Sequence, residues 1–151
     1  MEKELDREEE AILRKKLLNW IEKAKKSSKP IRIVIPVLNE EGLNAQISPH
    51  FGRAPYFAII DLNEKGEIVN QELIPNTGEH FGGAGRSASL ILRFNPNVVI
   101  TYSMGPKGLS LFQNAGVAVL KANVNTVREA IEAYRRGELE ELTEGCYEAK
   151  R

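Results

Sequence analysis

The chain has 151 residues, and its 21 Lys plus Arg match its 21 Asp plus Glu, so the net charge at pH 7 is zero. That balance lacks the basic excess or stripe that marks a nucleic-acid surface, and no apolar run approaches the roughly 20 residues needed to cross a bilayer. An acidic, polar amino terminus and a single cysteine, Cys146, point to a cytoplasmic protein with no internal disulfide, no nucleic acid and no membrane among its partners.

In chain order, residues 1–29 form a helical extension. Leu5, Ile12, Leu13, Leu17, Trp20, Ile21 and Ala24 recur at helical spacing, which predicts an amphipathic helix over 3–26. Acids crowd its start and "RKK" and "KAKKSSK" follow, which complements the helix dipole, and Pro30 stops it. Its apolar stripe suits two partners: an exposed face of the same chain, or a second copy in a homo-oligomer.

The main domain, 30–142, changes period. "IRIVIPV" (31–37), "YFAIIDL" (56–62) and "EIVNQELI" (67–74) read as strands, the last two joined as a hairpin by "NEKG". A helix at 84–94, a strand at 98–102, a helix at 106–114, a strand at 117–121 and a helix at 125–136 follow, the last closed by Gly137. Residues 143–151 are left as a carboxyl-terminal tail. The pattern predicts an α/β fold: a mixed five-stranded sheet in the order 3-2-1-4-5, strand two antiparallel to the rest, with flanking helices.

Strand direction sorts the loops. Residues 38–55, 75–83, 103–106 and 122–124 fall at the upper side, at the carboxyl ends of parallel strands where open α/β sheets bind ligands. Both histidines lie there, each in a His-Phe-Gly triplet: His50 in "SPHFGRAPYF" and His80 in "GEHFGGAG". Arg53, Gly82, Gly83, Gly85 and Arg86 share those loops, and "SMGPKG" adds Met104, Gly105 and Lys107.

"SPHFGRAPYFAIID", "GEHFGGAG", "VVITYSMGPKGLSLFQNAGVAV" and "VREAIEAYRRGEL", in that order and at those separations, resemble the dinitrogenase iron-molybdenum cofactor biosynthesis family. The likeness runs from residue 31 to about 142 and omits the amino-terminal helix. It implies a ribonuclease H-like fold. It also implies a small carrier of metal clusters or metallocofactors, an iron-sulfur or iron-molybdenum precursor cluster as cargo, and cofactor-assembly proteins as partners.

The residues themselves leave two readings open. Neutral imidazoles at 50 and 80 can ligate a transition metal, with Cys146 and Met104 as soft additional ligands. Arg53, Arg86, Lys107 and the amides of the glycine loop would then face an anionic cluster, and acidification should weaken binding by protonating the ligands. The plainer reading makes the histidines loop fasteners, Phe51 and Phe81 plugs beneath the rim, Met104 a gap filler and Cys146 incidental.

Catalysis finds less support. Two-metal nuclease chemistry needs converging carboxylates, and the only aspartates are Asp6 in the extension and Asp61 at the lower end of strand two, although Glu40, Glu41 and Glu79 lie on upper loops. "GGAGRSAS" (82–89) could cradle a phosphate or nucleotide but is neither a P-loop nor a GxGxxG fingerprint. The sequence therefore favours a binding protein over an enzyme.

Overall fold

The computed structural model describes residues 7–26, 30–77 and 85–145, and the side chains of the first helix up to residue 18. The chain divides into two compact units, Met1–Pro30 and Ile31–Arg151. In the first, helix α1 runs over Arg7–Lys26 with Glu8, Glu9 and Glu10 in its opening turn. Ile12, Leu13, Leu17 and Leu18 on this helix are each more than half exposed. Residues 3–6 of the expected helix and the side chains of Trp20, Ile21 and Ala24 lie outside the described part.

The second unit is a mixed sheet with helices on both faces. Its strands are β1 (Ile31–Val37), β2 (Tyr56–Leu62), β3 (Ile68–Pro75), β4 (Val98–Thr101), β5 (Ala118–Lys121) and β6 (Glu140–Glu141). The helices are α2 (Arg86–Leu92), α3 (Pro106–Asn114) and α4 (Val127–Arg135). The sheet order is β3-β2-β1-β4-β5-β6. β2 pairs antiparallel with β1 and β3, whereas β1–β4 and β4–β5 are parallel.

The expected five strands and their order are thus corrected to six. β6 pairs antiparallel with β5 through Leu120–Glu141 and Lys121–Glu140, so β2 is not alone in running against the parallel strands. The cause lies after α4. Gly137 takes a φ of 67°, and the Glu138 amide donates back to Ala133 O, a left-handed helix end that turns the chain onto β5. Leu139 and Leu142 flank the strand and pack onto opposite faces of the sheet. Two glutamates carry no strand pattern, which is why the element escapes the sequence.

Period-two alternation divides the core. Ile33, Ile35 and Val37 of β1 join Ala58, Ile60 and Leu62 of β2 under Val127, Ala130 and Ile131 of α4. Val34, Phe57 and Ile59 face the other way, toward Ala88 and Ile91 of α2 and Leu109 and Phe112 of α3. β1 is wholly buried from Ile33 onward, as expected of a central strand covered twice. The segment after β1 makes a 3-10 turn at Gly42–Asn44 and bridges to α4, with Gln46 paired to Thr126 and the Val127 amide donating to Ala45 O.

At the lower pole Arg32 grips Asp61 with two hydrogen bonds, Nε to Oδ1 at 2.9 Å and Nη2 to Oδ2 at 3.0 Å. Asn70 donates to the same carboxylate, and Arg32 Nη1 donates to Phe94 O. The Arg32 hydrogen bonds hold the Asp61 pKa below its ordinary value against the opposing effect of burial. Asp61 thus fastens three strands at the pole away from the upper loops.

Candidate functional site

The upper loops are built from backbone bonds outward. The Ser48 amide donates to Pro36 O at 2.8 Å, and Ser48 Oγ donates to His50 O at 2.9 Å. Phe51 then turns inward, only 2% exposed. Its ring lies 4.9 Å from Phe57 and 5.5 Å from Phe112, edge-to-face with the latter, a favourable aromatic arrangement. Phe51 is therefore the expected plug. With residue 51 buried and the carbonyl of residue 50 tied down, the His50 side chain stays half-buried at the rim.

The loop after β4 meets it from the other side. Thr101, completely buried, donates from Oγ1 to Ser103 O at 3.1 Å, and that carbonyl also accepts the Phe51 amide at 3.4 Å. Ser103 Oγ donates to Pro49 O at 3.0 Å and lies 3.4 Å from His50 Nδ1. A hydroxyl has one proton to give. With that proton on Pro49 O, the tautomer of His50 that satisfies the contact is the one that donates Nδ1–H to Oγ. In that tautomer Nε2 is the unprotonated nitrogen, the form in which an imidazole ligates a metal.

A third connection joins this loop to α2. Asn76, 4% exposed just beyond β3, donates from Nδ2 to Gly52 O at 3.1 Å and to Ala54 O at 2.9 Å. Its Oδ1 accepts from Ser87 Oγ at 3.1 Å, and Ser87 Oγ also lies 3.3 Å from Gly52 O. The Asn76 amide donates to Pro55 O. One asparagine thus clamps three carbonyls of the 50–55 loop and the first turn of α2, without leaving a buried side-chain polar atom unpaired among the described residues.

The helix ends are set by glycines. Gly85 precedes α2 at φ 92°, and a Cβ there would lie 3.1 Å from Leu111 Cδ1 and 3.4 Å from Lys107 Cγ, so α2 begins against the first turns of α3. Gly108 admits Met104 and Ala88 in the same way, with Met104 Sδ 3.4 Å from where its Cβ would be. Gly105 stands ahead of Pro106, which occupies the first helical position of α3. Gly145 crosses Pro106 so closely that a Cβ would overlap Pro106 Cα and lie 2.6 Å from its nitrogen.

Among the expected site residues, His50 stands beside the Ser103–Gly105 loop, Gly85 beside Lys107, and Arg53 in the loop that Asn76 clamps. Arg53, Arg86 and Lys107 are all exposed. Met104 is 2% exposed and packs within the apolar cluster of Phe51 and Phe112, which is the gap-filling position. His80, Phe81, Gly82, Gly83, Glu79 and Cys146 lie outside the described residues. Among the described residues no three His, Cys, Asp or Glu side chains gather to hold a metal ion. Sequence reasoning passed over Asn76, Ser87 and Ser103, whose roles rest on contacts to residues 11 to 54 positions away.

The last upper loop is held by Tyr102, whose hydroxyl donates to Val124 O and lies 3.4 Å from Asn125 Oδ1. Burial, with Glu129 adding to it, pushes the Tyr102 pKa up, so this hydroxyl remains a donor and a strut.

Comparison with known proteins adds to this geometry. Residues 32–137 match a family model described as dinitrogenase iron-molybdenum cofactor. The uncharacterized protein MJ0580 of Methanocaldococcus jannaschii is 38% identical over 116 residues, covering 76% of this chain and 93% of that protein. The structure of TM1290 from Thermotoga, described as a candidate NifB protein, has 30% identity and a TM-score of 0.63, with 77% of this chain and 97% of that chain covered. The apo form of the orange protein from Desulfovibrio gigas has 25% identity and a TM-score of 0.65, with coverage of 77% and 96%.

Proposed function

This chain belongs to the dinitrogenase iron-molybdenum cofactor family, and from that premise we propose that it is a small, non-catalytic carrier of a metal cluster or metallocofactor. Its cargo is an iron-sulfur or iron-molybdenum precursor cluster, bound on the upper loops of a ribonuclease H-like scaffold and exchanged with cofactor-assembly proteins.

The observation that carries the reading is the orientation of one imidazole. Ser103 Oγ donates to Pro49 O and lies 3.4 Å from His50 Nδ1, a contact that suits the tautomer with Nε2 as the ligand at a half-buried rim position. Metal-bound histidines are held in this fashion by a partner on the second ring nitrogen. His80 is the second ligand and Cys146 the third. Gly145, the residue before Cys146, packs on Pro106, at the loop that holds Ser103. Arg53, Arg86 and Lys107, with the backbone of Gly82, Gly83, Gly85 and Gly105, counter the negative charge of the cargo. Met104 supports the site from the core.

The nuclease alternative loses ground because Asp61 is taken up by Arg32 and Asn70 at the opposite pole. The test is anaerobic reconstitution with iron, sulfide and molybdate, followed by metal analysis and absorption spectroscopy. The parent chain should retain a chromophoric cluster, and a folded His50→Ala, His80→Ala double variant should lose most of it. Parent-like uptake by that variant would return both histidines to the role of loop fasteners.

A further inference from the structure

The carrier reading makes no use of α1. This helix exposes Ile12, Leu13, Leu17 and Leu18 by 51–57% each. In sequence, Leu13, Leu17, Trp20 and Ala24 stand at four-three-four spacing, the interval of a coiled-coil seam. Most helical stability in proteins comes from covering an apolar face rather than from intrinsic propensity. Such a stripe therefore calls for an occupant.

Charge selects which one. The opening turn carries Glu8, Glu9 and Glu10, and the closing turn carries Lys23, Lys25 and Lys26. A second copy laid parallel would set acids against acids and lysines against lysines. Laid antiparallel, the same copy sets the acidic turn of each helix beside the basic turn of the other, while the apolar seams still meet. The two helix dipoles then also oppose each other favourably. A two-fold axis satisfies both ends at once, since every contact occurs twice.

We infer that α1 is an antiparallel self-association element, and that two copies of this chain pair through it. The seam is Leu13, Leu17, Trp20 and Ala24, and the register is set by the acidic turn facing the basic turn. A carrier built this way holds two copies of the upper rim per particle.

The experiment uses the full chain throughout. Light scattering coupled to size exclusion, at tens of micromolar protein and low salt, should give about twice the chain mass of 16.9 kDa. Leu13→Glu, Leu17→Glu should return the particle to the single-chain mass. Glu8→Lys, Glu9→Lys, Glu10→Lys should raise the dissociation constant at least tenfold. Adding Lys23→Glu, Lys25→Glu, Lys26→Glu to that variant should restore it, because antiparallel partners then meet with signs exchanged. A monomeric parent overturns the proposal, and if Leu13→Glu, Leu17→Glu also lowers its melting temperature, the stripe covers the chain's own domain instead. A dimer that survives Leu13→Glu, Leu17→Glu overturns it as well. A dimer indifferent to the acid swap, or not rescued by the second swap, excludes the antiparallel arrangement.

Discussion

Replacing Asn76 by alanine isolates the clamp beneath the rim. Among the described residues the parent side chain bonds to Gly52 O, Ala54 O and Ser87 Oγ, at 3.1, 2.9 and 3.1 Å. Each such bond contributes about 1 kcal/mol net, and an acceptor left buried without a partner costs about 1–3 kcal/mol. Ser87 can turn its hydroxyl to Gly52 O, 3.3 Å away, so one carbonyl is rescued and that of Ala54 is stranded. The expected loss is about 2–4 kcal/mol. For a chain of this length it corresponds to a fall of roughly 5–15 °C in melting temperature. Urea titration followed by circular dichroism measures the free energy directly. Asn76→Asp sharpens the test, since it keeps the acceptor for Ser87 but points a carboxylate at two carbonyls, and it should be at least as damaging at neutral pH. A loss below about 0.5 kcal/mol for alanine, or an aspartate variant as stable as the parent, would refute the clamp.

Three further outcomes are expected. Ser103→Ala should lower metal affinity about 10- to 100-fold, as loss of a partner on a ligating imidazole does, while Ser103→Thr recovers most of it; metal titration of the folded variants decides this. Asp61→Asn should cost about 2 kcal/mol at neutral pH, the scale of charge-assisted hydrogen bonds. Because the folded Asp61 pKa is depressed by Arg32, its contribution is complete above the ordinary aspartate range and disappears as pH falls through the lower folded value. The stability gap between parent and variant in denaturant titrations should therefore close only in strong acid. Gly85→Ala should cost at least about 1 kcal/mol, because φ is 92° and the new methyl meets Leu111 at 3.1 Å, and thermal melts would show it.

What could be read from the sequence was what periodicity and direction carry. "IRIVIPV" and "YFAIIDL" became β1 and β2 with the same limits, because β-branched and aromatic residues are concentrated there. Alternating strands and helices placed the loops of His50 and Ser103 on one side before any contact was known. β6 was invisible, since two glutamates become a strand only when Gly137 turns the chain back and Leu139 and Leu142 find the core. Asn76 was hidden for a different reason. Its context, "IPNTG", reads as an ordinary turn, and its partners lie 11 to 24 residues away. The signal that could have found Ser103 was a hydroxyl directly after a strand in the loop facing a histidine, but its single proton is assigned only once Pro49 O is seen at 3.0 Å.

The two outer strands of the sheet bear on crowding rather than on cargo. An uncovered strand edge is a template for other chains, and proteins blunt it with short strands, charges or proline. Here β6 ends the sheet with only two residues, both exposed glutamates. The opposite edge, β3, exposes Gln71 and Glu72 and terminates in Pro75, and Val69 is the one large apolar residue on it that is more than half exposed. Each border therefore carries charge or proline of the kind that discourages another strand from adding to the sheet.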